Sequence, residues 1–139
     1  MSNTQAMCTS FKGQLLTATH NFGVAPTRGT TTADTFKAAL YLASATLNAT
    51  TTAYSATGEV TGTGYTAGGI TVTNATVPTT SGTTAYWTPS ASLVYSSVTL
   101  STAFDTVLIY NSTQSNAAVG VFTFGSQTVT AGTALLNLA

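Results

Sequence analysis

The sequence predicts one all-β domain, a β-sandwich of the jelly-roll type with a short N-terminal helix. Three observations predict it. Apolar and threonine-rich segments recur with turn residues every ~8–12 residues, the rhythm of sandwiches and barrels. Hydrophobic residues make up 43% of the 139, too many for a disordered chain and enough for a core. No shift of composition divides the chain, no repeat of fixed period runs through it, and its length suits one domain. We expect a single domain over 1–139, with an arm and short helix in 1–24 and the sandwich in 33–139.

The N-terminal segment SFKGQLLTATHNFG places Phe11, Leu15, Ala18 and Phe22 on one helical face. Ser10 is the expected cap, and Asn21 and Gly23 mark the expected stop. Gly13 weakens this helix. APTRGTTTA, residues 25–33, reads as a connector punctuated by Pro26 and Gly29. DTFKAALYLASATL fits both periods: Phe36, Leu40, Ala43 and Leu47 suit a helix, and Phe36, Ala38, Leu40 and Leu42 suit a strand. Its threonine-rich flanks favour strand.

Beyond residue 69 the pattern is β. GGITVTNATV alternates Ile70 and Val72 against threonines, and TTAYWTP is a short strand closed by Pro89. SLVYSSVTL carries a serine pair that suits a bulge. FDTVLIYN is a dense apolar run, the best candidate for a central strand. A polar turn from Asn111 to Asn116 leads into AAVGVFTFG, and QTVTAGTALLNLA can supply one or two more strands.

Charge excludes several functions. Charged residues are 4% of the chain, and net charge is zero. Lys12, Arg28 and Lys37 are the only cations, too few to neutralise a run of phosphates or to hold an anionic membrane. No apolar run approaches the ~20 residues of a membrane-spanning helix. MSNTQAMCTSFKGQ has neither the basic region nor the apolar core expected of a secretory signal. A neutral surface repels other copies poorly. It suits a protein that works packed against neighbours, or a threonine-coated domain that stays alone.

Gly62-Thr63-Gly64-Tyr65-Thr66-Ala67 fits the spacing of a dinucleotide-binding loop. That loop must open a helix, whereas these glycines lead into the strand-like Ile70-Thr71-Val72. No acid lies between Glu59 and Asp105 to take the ribose position. We read GEVTGTGYTAGG as a bent connection whose glycines allow positive φ or close backbone approach, and we expect no cofactor.

Catalytic material is scarce. His20, Cys8, Asp34, Glu59 and Asp105 are the candidates. A serine triad with His20 and Asp34 or Asp105 has no nucleophile elbow to support it. His20 reads better as a hydrogen-bonded structural residue, Cys8 as a buried hydrophobe and Asp34 as a turn or cap residue. One His and one Cys do not make a usual zinc site, and three scattered acids do not make a calcium loop. Glu59 and Asp105 would serve as a glycosidase pair only if folding joined them. Asn48-Ala49-Thr50, Asn74-Ala75-Thr76 and Asn111-Ser112-Thr113 fit the glycosylation spacing, but in a chain this rich in threonine they read as turns and polar strand faces.

Aromatic residues offer adhesion instead. Tyr65, Tyr86, Trp87 and Tyr95 are the candidate interface anchors, because Tyr and Trp combine apolar area with a polar handle. Tyr86 and Trp87 are adjacent and point to opposite faces of a strand. One can anchor the core while the other meets a partner, and Trp87 as plain core fits equally.

SFKGQLLTATHNF, the stretch DTFKAALYLASATLNATTTAYSATGEVTGTGYTAGG and VLIYNSTQSNAAVGVFTFGS together resemble the small structural proteins of tailed bacteriophages. The likeness is to capsid decoration, or cement, proteins of podovirus-like heads, and Thr46 to Gly69 is its most specific part. The resemblance implies a jelly roll without catalytic activity, sitting as a homodimer on the outer surface of a virion capsid. That capsid would be built from an HK97-like major capsid protein and assembled in the bacterial cytoplasm. It tips residues 35–43 toward strand and supplies no catalytic or cofactor-binding residues. The alternatives are another virion β module, such as a head-fibre base or a tail or neck component, and a host-glycan-binding domain; a hydrolase ranks last.

Overall fold

The computed structural model describes residues 2–16, 18–22, 33–73, 79–87 and 89–136. It is the all-β single domain expected, with one short helix. Its elements are β1 (Ala6–Met7), α1 (Thr9–Leu16), β2 (Phe36–Leu42), β3 (Ile70–Val72), β4 (Thr79–Ser81), β5 (Thr84–Tyr86), β6 (Leu93–Asn111) and β7 (Ala117–Leu136). Five strands form an antiparallel sheet in the order β1-β7-β6-β2-β3, and β4-β5 is a separate hairpin. β6 lies between β7 and β2, so FDTVLIYN is central.

The sheet makes its own second layer. Ala38 of β2 pairs with Ile109 of β6. A straight strand would hold Tyr95 on the order of 45 Å from Ile109. Yet the Tyr95 hydroxyl donates to the Ala38 carbonyl at 2.8 Å. The β6–β7 ribbon therefore doubles back over β2. Its register shifts between Tyr95 and Val98, Val98 and Leu100, Leu100 and Phe104, and Phe104 and Thr106. Such bulges bend a strand and increase its twist. Ser97, in the serine pair, takes φ 55°, and Ala131 across the ribbon takes φ 46°. The sequence reading divides β6 and β7 into shorter strands and places the bulge of β6 at the serine pair. The bulge is there, and the segments join into two continuous strands, Leu93–Asn111 and Ala117–Leu136.

β2 is buried on both faces, which explains its unbroken apolar run. Phe36, Ala38 and Leu40 meet Leu93, Tyr95, Val98, Leu100 and Phe104 from the returning ribbon. Ala39 and Tyr41 face the other way and pack with Cys8, Phe11, Ala45 and Leu47.

The helix is shorter than its apolar spacing predicts. It starts at Thr9, so Ser10 lies inside the first turn and its buried Oγ has no partner among the described residues. Tertiary carbonyls replace the expected cap: Thr9 N donates to Ala49 O at 2.8 Å and Cys8 N to Val119 O at 3.1 Å. The end is a Schellman motif with Ala18 left-handed at φ 54°, Thr19 N bonding Gln14 O and Ala18 N bonding Leu15 O. Ala18 and Phe22 thus fall outside the helix, although Phe22 still stacks on Phe36 at 4.4 Å. Gly23, nearly all of the 25–33 connector, Asn74-Ala75-Thr76 and the last three residues lie outside the described residues.

The glycine-rich connection closes one side of the sandwich. It bridges to β2 at Tyr41↔Glu59 and to the returning half of β6 at Thr63↔Thr99. A Cβ on Gly62 would lie 2.0 Å from the Thr99 carbonyl, and one on Gly69, already at φ 71°, would lie 1.7 Å from the Ala38 carbonyl. The glycines serve backbone contact, as their context predicts.

Gly69→Ala should therefore destabilise the fold by at least about 2 kcal/mol in urea titration. Gly13→Ala, in α1 with nothing within 4 Å of the added carbon, should stabilise it by about 0.5–1 kcal/mol.

Candidate functional site

The four aromatic residues singled out in the sequence separate into two kinds. Tyr95 is 3% exposed, and its hydroxyl is spent on Ala38. Tyr65 is half-buried; its hydroxyl accepts from Leu40 N at 3.0 Å and donates to Glu59 Oε1 at 2.8 Å. Their rings stack at 6.0 Å. Both hold the fold from inside, so neither offers its hydroxyl to a partner. Trp87 follows β5 and packs on Phe22 and Phe36 at 5.0 and 5.3 Å. Tyr86 is 44% exposed. The adjacent pair thus divides as its spacing allows, Trp87 to the core and Tyr86 to solvent.

Glu59 is the centre of a tyrosine box that sequence reasoning missed. It is 6% exposed. Tyr54 Oη donates to its Oε2 at 2.6 Å, and Tyr65 Oη and Gly68 N donate to its Oε1 at 2.8 and 2.7 Å. Three neutral donors replace the water lost on burial. The Tyr110 hydroxyl donates to Gly68 O at 2.7 Å and its ring stacks on Tyr54 at 4.8 Å. The Tyr41 hydroxyl donates to Ser55 O. Burial pushes the Tyr41 phenol up to about 12, with Glu59 and Tyr110 adding to the rise against the Ser55 bond. Burial and the Glu59 charge also raise Tyr54, Tyr65, Tyr95 and Tyr110. The only signal in the sequence is that Glu59 has Tyr54 and Tyr65 close by and no Lys or Arg within twenty residues.

The remaining acids are also engaged internally. Asp34 is not a local turn residue but a buried hub, 4% exposed. It accepts from Asn21 N at 2.9 Å, Asn111 Nδ2 at 2.7 Å and Gln114 Nε2 at 3.3 Å. Asp105 accepts from Asn3 Nδ2 at 2.8 Å and Thr106 Oγ1 at 2.7 Å. Glu59 and Asp105 share none of these donors, so their hydrogen bonds do not join them as a catalytic pair. His20 joins Gln14 at 2.8 Å and Asn111 at 3.0 Å and packs against Phe11 at 4.9 Å, the structural role expected of it. Cys8 is fully buried, which pushes its thiol up. Among the described residues, no three His, Cys, Asp or Glu side chains cluster as metal ligands.

Among the described residues, Lys12 is the one exposed charge, with Lys37 and Asp105 half-buried; the rest of the outside is uncharged. The exposed large apolar side chains among the described residues are Met7, Leu15, Tyr86, Val94, Phe122 and Leu135. Val94 and Leu135 face each other across the ribbon. The β4–β5 hairpin turns at Gly82, φ 57°, and its Thr80, Ser81, Thr83 and Thr84 are exposed beside Tyr86. β7 carries no charge along its length, and β1 pairs with it only at Gly120 and Val121. A hollow of about 430 Å³ has Tyr41, Ala45 and Leu47 below a rim of Ser44, Thr46, Thr51, Ser55 and Thr57.

Comparison with family models, with curated proteins and with solved structures gives no match.

The box predicts alkaline unfolding. A phenol raised in the fold contributes stability that is complete below its unfolded pKa of about 10 and is lost as pH rises through the folded value. Phenolate absorbance should rise together with loss of near-ultraviolet circular dichroism above pH ~10. Phenolate formation with the fold intact would contradict the box. Glu59→Gln, which turns an amide toward a hydroxyl donor, should cost about 1–3 kcal/mol in urea.

Proposed function

We propose that this chain is a structural virion protein that cements the outside of a bacteriophage capsid by bridging neighbouring major capsid proteins. The observation that carries the reading is the internal use of every acid. Asp34, Glu59 and Asp105 all bond within the chain, and among the described residues the exposed surface carries hydroxyls, a few apolar side chains and the single charge of Lys12. A surface of this kind adheres without the desolvation penalty of burying ions. Many weak, symmetrically arranged contacts then add up, since losing one bridge leaves the others engaged. The resemblance of Thr46–Gly69 and its flanking stretches to decoration proteins supports the same reading.

Tyr86 and the β4–β5 hairpin are the proposed contact. An isolated two-stranded hairpin is marginal alone, and this one is held at its base by Trp87. Its exposed hydroxyls and one aromatic ring suit a neutral shell surface. The uncharged outer edge of β7 offers further backbone donors and acceptors to a second copy or to the shell. The hydroxyl-rimmed hollow over Tyr41 favours a second reading, a host-glycan-binding module of the virion. Glycan-array binding by the isolated chain, without binding to heads, would select it.

Purified chain should co-sediment with phage heads stripped of it. Its affinity should change by less than about threefold between about 0.05 and 0.5 M salt, because the contact is uncharged. Tyr86→Ala should weaken binding about tenfold or more without lowering the melting temperature. Tyr95→Ala should lower the melting temperature instead. No sedimentation with heads, or a steep loss of binding with salt, would overturn the cement reading.

A further inference from the structure

The polar cluster between the N-terminal arm and the sheet fixes the protonation of the chain's single histidine. Asn111 Oδ1 accepts from Thr113 N at 3.0 Å and Gln114 N at 3.2 Å. The amide is thereby oriented, with Nδ2 facing Asp34 Oδ2 at 2.7 Å and His20 Nδ1 at 3.0 Å. An amide nitrogen only donates, so Nδ1 accepts. The ring proton then sits on Nε2 and faces Gln14 Oε1 at 2.8 Å. The neutral Nε2–H tautomer satisfies every partner. A second proton would set Nδ1–H against the Asn111 N–H. Turning the Asn111 amide offers no relief, because two backbone N–H groups would then face its nitrogen.

These bonds hold the arm down. Gln14 belongs to α1, and Asn21 N donates to Asp34. His20, Phe11 and Phe22 pack together, and Phe22 and His20 reach Phe36 at the start of β2. We propose that His20 is an acid-sensitive latch: a proton on Nδ1 expels the ring from Asn111 and frees α1 and residues 18–22 from the end of the sheet.

The surroundings decide the direction. Among the described residues, α1 presents Gln14 and Phe11 to the ring, β2 presents Phe36, and β6 presents Asn111; Asp34, before β2, is the charged group at the cluster. Lys12 is exposed on α1, and Lys37 points to the face of β2 opposite Phe36. Burial lowers the His20 pKa, and the Asp34 charge opposes that only in part. As pH falls below about 6.5, the released arm takes the proton first. Docking is complete above that pH and is lost as pH falls toward the lower, docked value. The latch holds whatever the chain binds.

The test uses the whole chain, in which one histidine makes assignment unambiguous. Imidazole nitrogen NMR should show the Nε2–H tautomer and a midpoint below about 6.5. Hydrogen exchange in Thr9–Leu16 and 18–22, corrected for intrinsic rates, should accelerate by up to about tenfold per pH unit below that value. His20→Gln, which lacks the proton site, should flatten this dependence. A Nδ1–H tautomer, a midpoint at or above the free value, or exchange that follows intrinsic rates alone would each overturn the latch. If the variant does not fold, the wild-type titration decides by itself.

Discussion

The returning β6–β7 ribbon is the constraint on which the rest of the molecule depends. One sheet supplies both layers of the sandwich, because the bulges between Tyr95 and Thr106 let a pair of strands bend back over β2. The Tyr95–Ala38 bond marks the closure. Once closed, the core places Phe36, Ala38 and Leu40 against the ribbon. The opposite face of the same strands is left for α1 and the 43–57 connection to cover. Most contacts in this arrangement are distant in sequence, so closure entropy must be met before the core forms.

The glycine-rich connection and the Glu59 box are consequences of that closure. The connection runs from the edge of β2 to the returning half of β6, close enough that side chains at 62 and 69 are excluded. Glu59 lies where the connection leaves β2. Its donors come from both sides, Tyr54 before it and Tyr65 and Gly68 after it. A carboxylate placed there organises the loop at the cost of being unreachable. Asp34, equally buried, and the half-buried Asp105 tie the N-terminal arm to the sheet through Asn21 and Asn3. Chemistry that composition makes scarce is consumed by architecture.

How much was legible follows from what leaves a local trace. The alternation of Ile70 and Val72, the apolar density of FDTVLIYN and the serine bulge are local, and the structure has them. The threonine flanks correctly favoured strand over helix for Phe36–Leu42. Ser10 does not cap the helix, because tertiary carbonyls, Ala49 O and Val119 O, supply at its start what a cap supplies locally. The sequence shows half of the β4–β5 hairpin: TTAYWTP reads as strand, whereas the Gly82-Thr83 turn and the Thr79–Ser81 strand before it carry no clear local signal. Tyr65 and Tyr95 have the chemistry of interface anchors but sit inside the fold. Their partners, Glu59, Leu40 and Ala38, adjoin them only after the ribbon folds back, so sequence spacing carried no sign of burial. Asn111 and Asn3, which organise two of the acids, are unremarkable asparagines until their partners are placed.

Adhesion is the work we propose for this surface. Electron microscopy of intact phage heads at side-chain resolution tests that most directly. The account predicts this fold repeated over the outer shell, with the β4–β5 hairpin and Tyr86 against capsid protein and Glu59 enclosed. Heads without the chain, or a chain bound through Lys12 and Lys37, would contradict it.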